Sequence, residues 1–162
     1  PTNLKINNDI NLIEVETAEE MFQSTLKSLP VDVAIFSAAV CDYKVKETSK
    51  IKIKKQDEIS LELEKNVDIL DCISNHNSLR PKLVVGFAAE TNNLESYANK
   101  KLSEKNCDWI VANDVSNESI GFDSDFNEVS IFYKNKKIDK LNYKSKSEIS
   151  DELVEKIIDH LN

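Results

Sequence analysis

Lysine occupies six of the twelve positions from Lys44 to Lys55, in a chain whose formal net charge is −8. The end of the run alternates, with Lys50, Lys52 and Lys54 on one parity and Ile51 and Ile53 on the other. In an extended strand that spacing sets the ammonium groups on one face and the isoleucines on the opposite one. A cationic ribbon concentrated in an acidic protein suits a single polyanionic ligand, whose phosphates it would neutralise as fixed point charges. The plain alternative is an edge strand kept soluble by its charges. Composition leaves both readings open.

Other residues could join such a site. Asp42 follows the small residues Ser37, Ala38 and Ala39. A carboxylate there could bind ribose hydroxyls or a metal, or simply cap a turn. Phe87 closes an apolar run beside Ala88 and Ala89 and could stack on a base or fill the core. Lys101 and Lys105 are four apart and share a helix face. The glycines are Gly86 and Gly121 alone, which excludes both GxGxxG and a P-loop. Any phosphates must therefore be held by something else, for which the lysine ribbon and the amides of a helix beginning at Val67 are the candidates. His76 and His160 have no metal-ligand spacing, and Asn113–Asp114 could be a turn or a site, the turn being the reading the residues give unaided. Three cysteines without CxxC spacing argue against the common metal clusters and fit a reducing cytoplasm.

The elements that position these residues alternate. Asn11–Val15 reads as a short strand. Thr17 with Glu20 predicts a capping box and a helix through Leu29 that Pro30 ends. Val31–Phe36 and Lys82–Ala88 are apolar runs typical of buried parallel strands. Between them, Ile51–Lys55 and Ile59–Glu64 alternate and predict a two-stranded flap. Asn66 is a candidate N-cap for a short helix, Val67–Ser74. A helix over Leu94–Lys105 and strands at Trp109–Ala112, Glu128–Tyr133 and about Lys137–Leu141 follow. The last helix, capped by Ser147 or Ser150, carries Leu153, Ile157, Ile158 and Leu161. This order predicts an α/β fold, a Rossmann-like mostly parallel sheet with flanking helices and an inserted β-hairpin flap. Ligands of such sheets lie at the carboxyl ends of the strands, here Ser37–Asp42, Phe87–Thr91 and Ala112–Ser116. With 162 residues the chain fits one domain. An excess of acidic residues, 29 against 21 basic ones, disfavours nucleic acid, and no apolar run approaches membrane-spanning length. The start at Pro1, without Met, reads as a fragment of something longer.

Several segments in series are more specific than any one of them. Ser37–Tyr43 (SAAVCDY), Lys52–Lys55 (KIKK), Asn66–Leu70 (NVDIL), Val85–Asn92 (VGFAAETN), Val111–Ser116 (VANDVS) and Gly121–Val129 (GFDSDFNEV) resemble the phosphopantothenoylcysteine synthetase domain. That domain is the C-terminal half of a bifunctional coenzyme A biosynthesis flavoprotein. The resemblance implies a ligase that activates the carboxylate of 4′-phosphopantothenate with CTP and Mg²⁺ as an acyl-cytidylate, which the amine of cysteine then converts to the amide. It implies that Phe36, Ser37 and Ala38 line the nucleotide, Asp42 holds the cytidine part, and Lys52 meets the triphosphate as the catalytic cation. It also implies that Val67, Asp68, Ile69 and Leu70 offer helix amides, Phe87 packs on the nucleotide, and Lys101 and Lys105 add charge. No protein metal ligand is implied.

The resemblance further implies a cytoplasmic homodimer, free of nucleic acid and membrane, and FMN only where an upstream decarboxylase domain exists. The chain departs from the family in two ways. Val67 stands where proline is usual and Cys41 where alanine is. The family's glycine-containing strand–loop–helix unit and its asparagine loop are missing. The expectation is therefore that residues 1–162 form the C-terminal part of one synthetase domain and are inactive alone. The competing reading is a non-catalytic nucleotide-binding or interaction module on the same fold. An NAD(P)-dependent reductase is disfavoured by the absent glycine fingerprint.

Overall fold

The structure is a computed structural model that describes residues 9–49, 51–54, 59–116 and 124–162. Helix α1 (Ala18–Lys27) begins as its sequence dictates. The Thr17 hydroxyl accepts the Glu20 N–H, and the Glu20 carboxylate accepts the Thr17 N–H, which satisfies two otherwise orphan donors. Strand β1 (Val33–Phe36), the short strands β2 (Tyr43–Val45) and β3 (Leu63–Lys65) and helix α2 (Ile69–Ser74) follow. Then come β4 (Leu83–Glu90), α3 (Leu94–Lys105), β5 (Trp109–Asp114), β6 (Phe126–Tyr133), β7 (Ile138–Ser145) and α4 (Lys146–Leu161).

Five strands form the main sheet in the order β1-β4-β5-β6-β7. β1, β4 and β5 are parallel, and β6 and β7 extend the sheet antiparallel. β4 is covered on both faces, which explains its nearly unbroken apolar run. On one face Leu83, Val85, Val111 and Ile131 pack against Ile149, Leu153 and Ile157 of α4. On the other, Val84, Ile110 and Ala112 pack against Leu70 of α2 and Ala98 and Leu102 of α3. Gly86 permits this second layer to sit close. A Cβ there would stand 2.7 Å from Leu70 Cδ2 and 2.9 Å from Ile110 Cδ1.

Two polar clusters brace the sheet along the rim that carries the amino ends of β4 and β5. At the amino ends of β4 and β5, Arg80 donates to both carboxylate oxygens of Asp108 at 3.0 and 2.9 Å, and Asp108 accepts the Val84 N–H at 2.7 Å. Across the β6–β7 hairpin, Asp139 accepts from Tyr133 Oη at 2.9 Å, Lys156 Nζ at 2.9 Å and Lys137 Nζ at 3.1 Å. The Lys156 ammonium, opposed by partial burial and helped by Lys137 and Tyr133, holds the Asp139 carboxyl down to about 2. A depressed carboxyl contributes stability above its unfolded value, about 3.9, and loses it as pH falls through the folded value. Wild type is therefore expected to lose stability between about pH 4 and pH 2. Asp139→Asn should flatten that part of the profile, as read by urea denaturation at successive pH values.

Several expectations need correction. Asn11–Val15 is irregular rather than a strand, with Leu12 53% and Ile13 50% exposed. No strand lies beside it among the described residues, and an extended segment without a ladder is not a strand. β1 is the edge of the sheet rather than a buried strand, and Ile35 is 48% exposed. Residues 51–54 are irregular and exposed, while Lys50 and residues 55–58 lie outside the described residues. The flap is instead built by β2 and β3, in antiparallel register with Tyr43 opposite Lys65 and Val45 opposite Leu63. Cross-strand ion pairs Lys44–Glu64 and Lys46–Glu62 favour that register. Asp68, not Asn66, caps α2, accepting the Asp71 N–H at 2.9 Å. Ser145, not Ser147 or Ser150, caps α4 through a capping box with Glu148. Ile158 and Leu161 remain exposed.

Candidate functional site

The adjacency of β1, β4 and β5 brings their carboxyl ends to one rim. A cavity of about 490 Å³ opens there between the segment after β1, the start of α2 and the end of β4. Ten of the twelve expected site residues line it: Phe36, Ser37, Ala38, Asp42, Val67, Asp68, Ile69, Leu70, Phe87 and Lys101. Ser37 and Ala38 are small enough to let a ligand approach their backbone. Val67 and Asp68 are exposed, whereas Ile69 and Leu70 are buried and anchor α2 to the sheet.

The charges in and around this cavity are arranged specifically. Lys101 Nζ donates to the carbonyl of Phe87 at 2.9 Å, which holds an ammonium against the carboxyl end of β4. Lys105 does not line the cavity; its Nζ lies 2.7 Å from Asp68. Burial pushes the Asp68 carboxyl up, but Lys105 and the Asp71 N–H outweigh it and hold the group below its ordinary value. The same contact raises the Lys105 ammonium. In this state the charge of Lys105 serves Asp68 first, and Asp68 stands where the amides of α2 were expected to be open. The carboxylate of Asp42 makes no hydrogen bond or ion pair among the described residues.

Lys52 is the residue the structure does not bring in. It is exposed, does not line the cavity and forms no salt bridge among the described residues. Sequence reasoning also passed over two parts of the site. Met21, Thr25 and Leu29 of the α1 region line the cavity where it continues along the free edge of β1. Nothing in their helical spacing separates such residues from ordinary packing positions. Asn66, read as a cap, lines the cavity and binds the carbonyls of Cys41 and Asp42. Its position next to the expected helix start was the available signal.

A concave site with small residues, an aromatic ring, a held ammonium and two carboxylates can accommodate a nucleotide. Comparisons with known proteins show which family the chain resembles. The family model for the DNA/pantothenate metabolism flavoprotein C-terminal domain matches residues 1–161. The chain is 45% identical over 161 residues to the coenzyme A biosynthesis bifunctional protein CoaBC of Haemophilus influenzae, covering 98% of this chain and 40% of that protein. It is 41% identical over 147 residues to the Bacillus subtilis protein of the same description, covering 90% and 36% respectively. The crystal structure of the C-terminal domain of a coenzyme A biosynthesis bifunctional protein CoaBC matches with a TM-score of 0.79 at 34% identity. That match covers 99% of this chain and 71% of the other. The chain thus spans about 40% or less of the length of these curated relatives.

Proposed function

The chain belongs to the DNA/pantothenate metabolism flavoprotein C-terminal domain family, and from that membership we propose that it serves the CTP-dependent ligation of 4′-phosphopantothenate to cysteine. It does so as the C-terminal part of one synthetase domain in a longer protein. The observation that carries the reading is the convergence of Phe36, Ser37, Ala38, Asp42, Phe87 and Lys101 on one cavity at the carboxyl ends of parallel strands.

The chemistry runs in two displacements. A carboxylate oxygen of phosphopantothenate attacks the α-phosphorus of CTP, the bond to the β-phosphate oxygen breaks, and pyrophosphate leaves. The cysteine amine then attacks the acyl carbon, the C–O bond to CMP breaks, and the amine proton passes to solvent. The first step brings two anions together, so fixed positive charge at the phosphates lowers its barrier. Lys101, already held at the β4 end, supplies part of that charge. Lys52 supplies the rest once the segment after β2 folds over the cavity. Ser37 and Ala38 contact the nucleotide by backbone, Asp42 accepts from the cytidine ribose, and Phe87 packs against the nucleotide.

Mg²⁺ enters with the triphosphate as part of the substrate. Asp42 and Asp68 are the carboxylates within reach of the cavity, and no group of three metal-binding side chains occurs among the described residues. A hexacoordinate ion held mainly by phosphates and water suits that donor set. FMN belongs to a decarboxylase domain elsewhere in the longer protein. The protein is a cytoplasmic homodimer. The exposed apolar face of the flap, with Tyr43 56% and Leu63 57% exposed opposite its ion-paired face, supports a partner surface. No described helix is long and apolar enough to cross a membrane.

The position of Lys52 outside the cavity favours a second reading, a nucleotide-binding module without chemistry. Titration calorimetry of the full-length protein with CTP and Mg²⁺, followed by a pyrophosphate-release assay with phosphopantothenate, separates the two. Binding with release supports the ligase, binding without release supports the module, and no binding overturns both.

A further inference from the structure

We propose that Asn66 is a positioning residue that aims Asp42 into the nucleotide site, an inference that rests on the CTP reading above. Asn66 donates from its side chain and from its backbone to consecutive peptide groups. Its side-chain Nδ2 donates to the carbonyl of Cys41 at 2.8 Å, and its backbone N–H donates to the carbonyl of Asp42 at 2.8 Å. Those carbonyls belong to the two peptide planes on either side of the Asp42 Cα. Each peptide is planar, so the chain at Asp42 has only two soft torsions. Fixing both flanking planes fixes the direction of the Cα–Cβ bond, and with it the arc that the carboxylate can sweep.

The location makes this hold consequential. Asp42 has no side-chain partner among the described residues, so its neighbours do not orient it. The next residue, Tyr43, starts β2 opposite Lys65, so the two Asn66 bonds also close the root of the flap. Two residues beyond Asn66, Asp68 caps α2. Asn66 therefore joins three parts of the cavity wall: the segment after β1, the base of the flap and the first turn of α2. Asparagine suits the task because its short amide supplies a donor without adding charge beside a polyanion. Aspartate in its place would have no side-chain donor when ionised.

The test compares Asn66→Ala, Asn66→Ser and Asn66→Gln with wild type in the full-length protein, using two readouts. The first is amide hydrogen exchange at Asp42–Val45 without nucleotide. The second is steady-state turnover with CTP. We expect faster exchange in Asn66→Ala and Asn66→Ser. We also expect a KM for CTP raised about five- to tenfold, the scale of one hydrogen bond, with kcat within about twofold. Asn66→Gln, which keeps an amide donor, should recover part of the KM. Unchanged exchange overturns the proposal whatever the activity. So does faster exchange with an unchanged KM, or a loss confined to kcat. A wild-type protein that neither binds nor uses CTP overturns the functional reading instead, and the nucleotide-free exchange data tell that failure apart.

Discussion

Lys52→Gln in the full-length protein is expected to lower CTP-dependent pyrophosphate release by on the order of 10²-fold or more, the scale of removing one preorganised charge from a transition state. Folding should be untouched. Lys52 is exposed and has no ion pair among the described residues, so its ammonium supports nothing in the nucleotide-free state. The loss should fall on kcat, because the charge repulsion that Lys52 offsets is greatest when the carboxylate meets the α-phosphorus. Single-turnover formation of the acyl-cytidylate, followed by rapid quench, checks this. Equal rates in mutant and wild type would remove Lys52 from the mechanism and leave Lys101 as the cavity's own cation. The result would also report on the flap. Lys52 lies in the irregular segment that leads away from β2 and Lys46, so it can act on phosphate only if that segment closes over the cavity.

Asp42→Ala is expected to weaken CTP binding roughly tenfold to a hundredfold, as removal of a charged hydrogen-bond acceptor does. The melting temperature should not move. The carboxylate makes no hydrogen bond or ion pair among the described residues, and the backbone bonds that hold the segment come from Asn66 to the carbonyls of residues 41 and 42. Truncating the side chain leaves those bonds in place. Calorimetry with CTP and Mg²⁺, paired with thermal denaturation, reads both quantities. A dissociation constant equal to that of wild type would assign Asp42 to the turn instead of the nucleotide.

The sequence carried the body of the fold because the strongest periodicities are local. The run from Lys82 to Ala88 is apolar because β4 is covered on both faces, and Thr17 with Glu20 announces α1 by a reciprocal hydrogen bond that needs no tertiary partner. Elements that depend on a distant neighbour were read less well. The lysine–isoleucine alternation after Lys50 looks like a strand, yet the flap pairs through Tyr43–Val45 and Leu63–Lys65, where acidic residues stand opposite Lys44 and Lys46. Alternation gives a face, and only the partner strand gives a register. Asn11–Val15 has a strand's composition but no ladder among the described residues, and Val31–Phe36 has a buried strand's composition but an edge position. Most of the residues that line the cavity were legible in the short motifs after the strands. Its fine structure was not. The contact of Lys105 with Asp68 and the double hold of Asn66 both join residues more than twenty positions apart. No single-chain pattern encodes such distances.

A crystal structure of the full-length protein with CTP and Mg²⁺ tests the central claim most directly. The account predicts cytidine between Ser37–Ala38 and Phe87, its ribose on the Asp42 carboxylate, and the Lys52 and Lys101 ammonium groups within salt-bridge distance of the triphosphate. Nucleotide bound away from this rim, or bound here with Lys52 directed into bulk solvent and no cation on the phosphates, would contradict it.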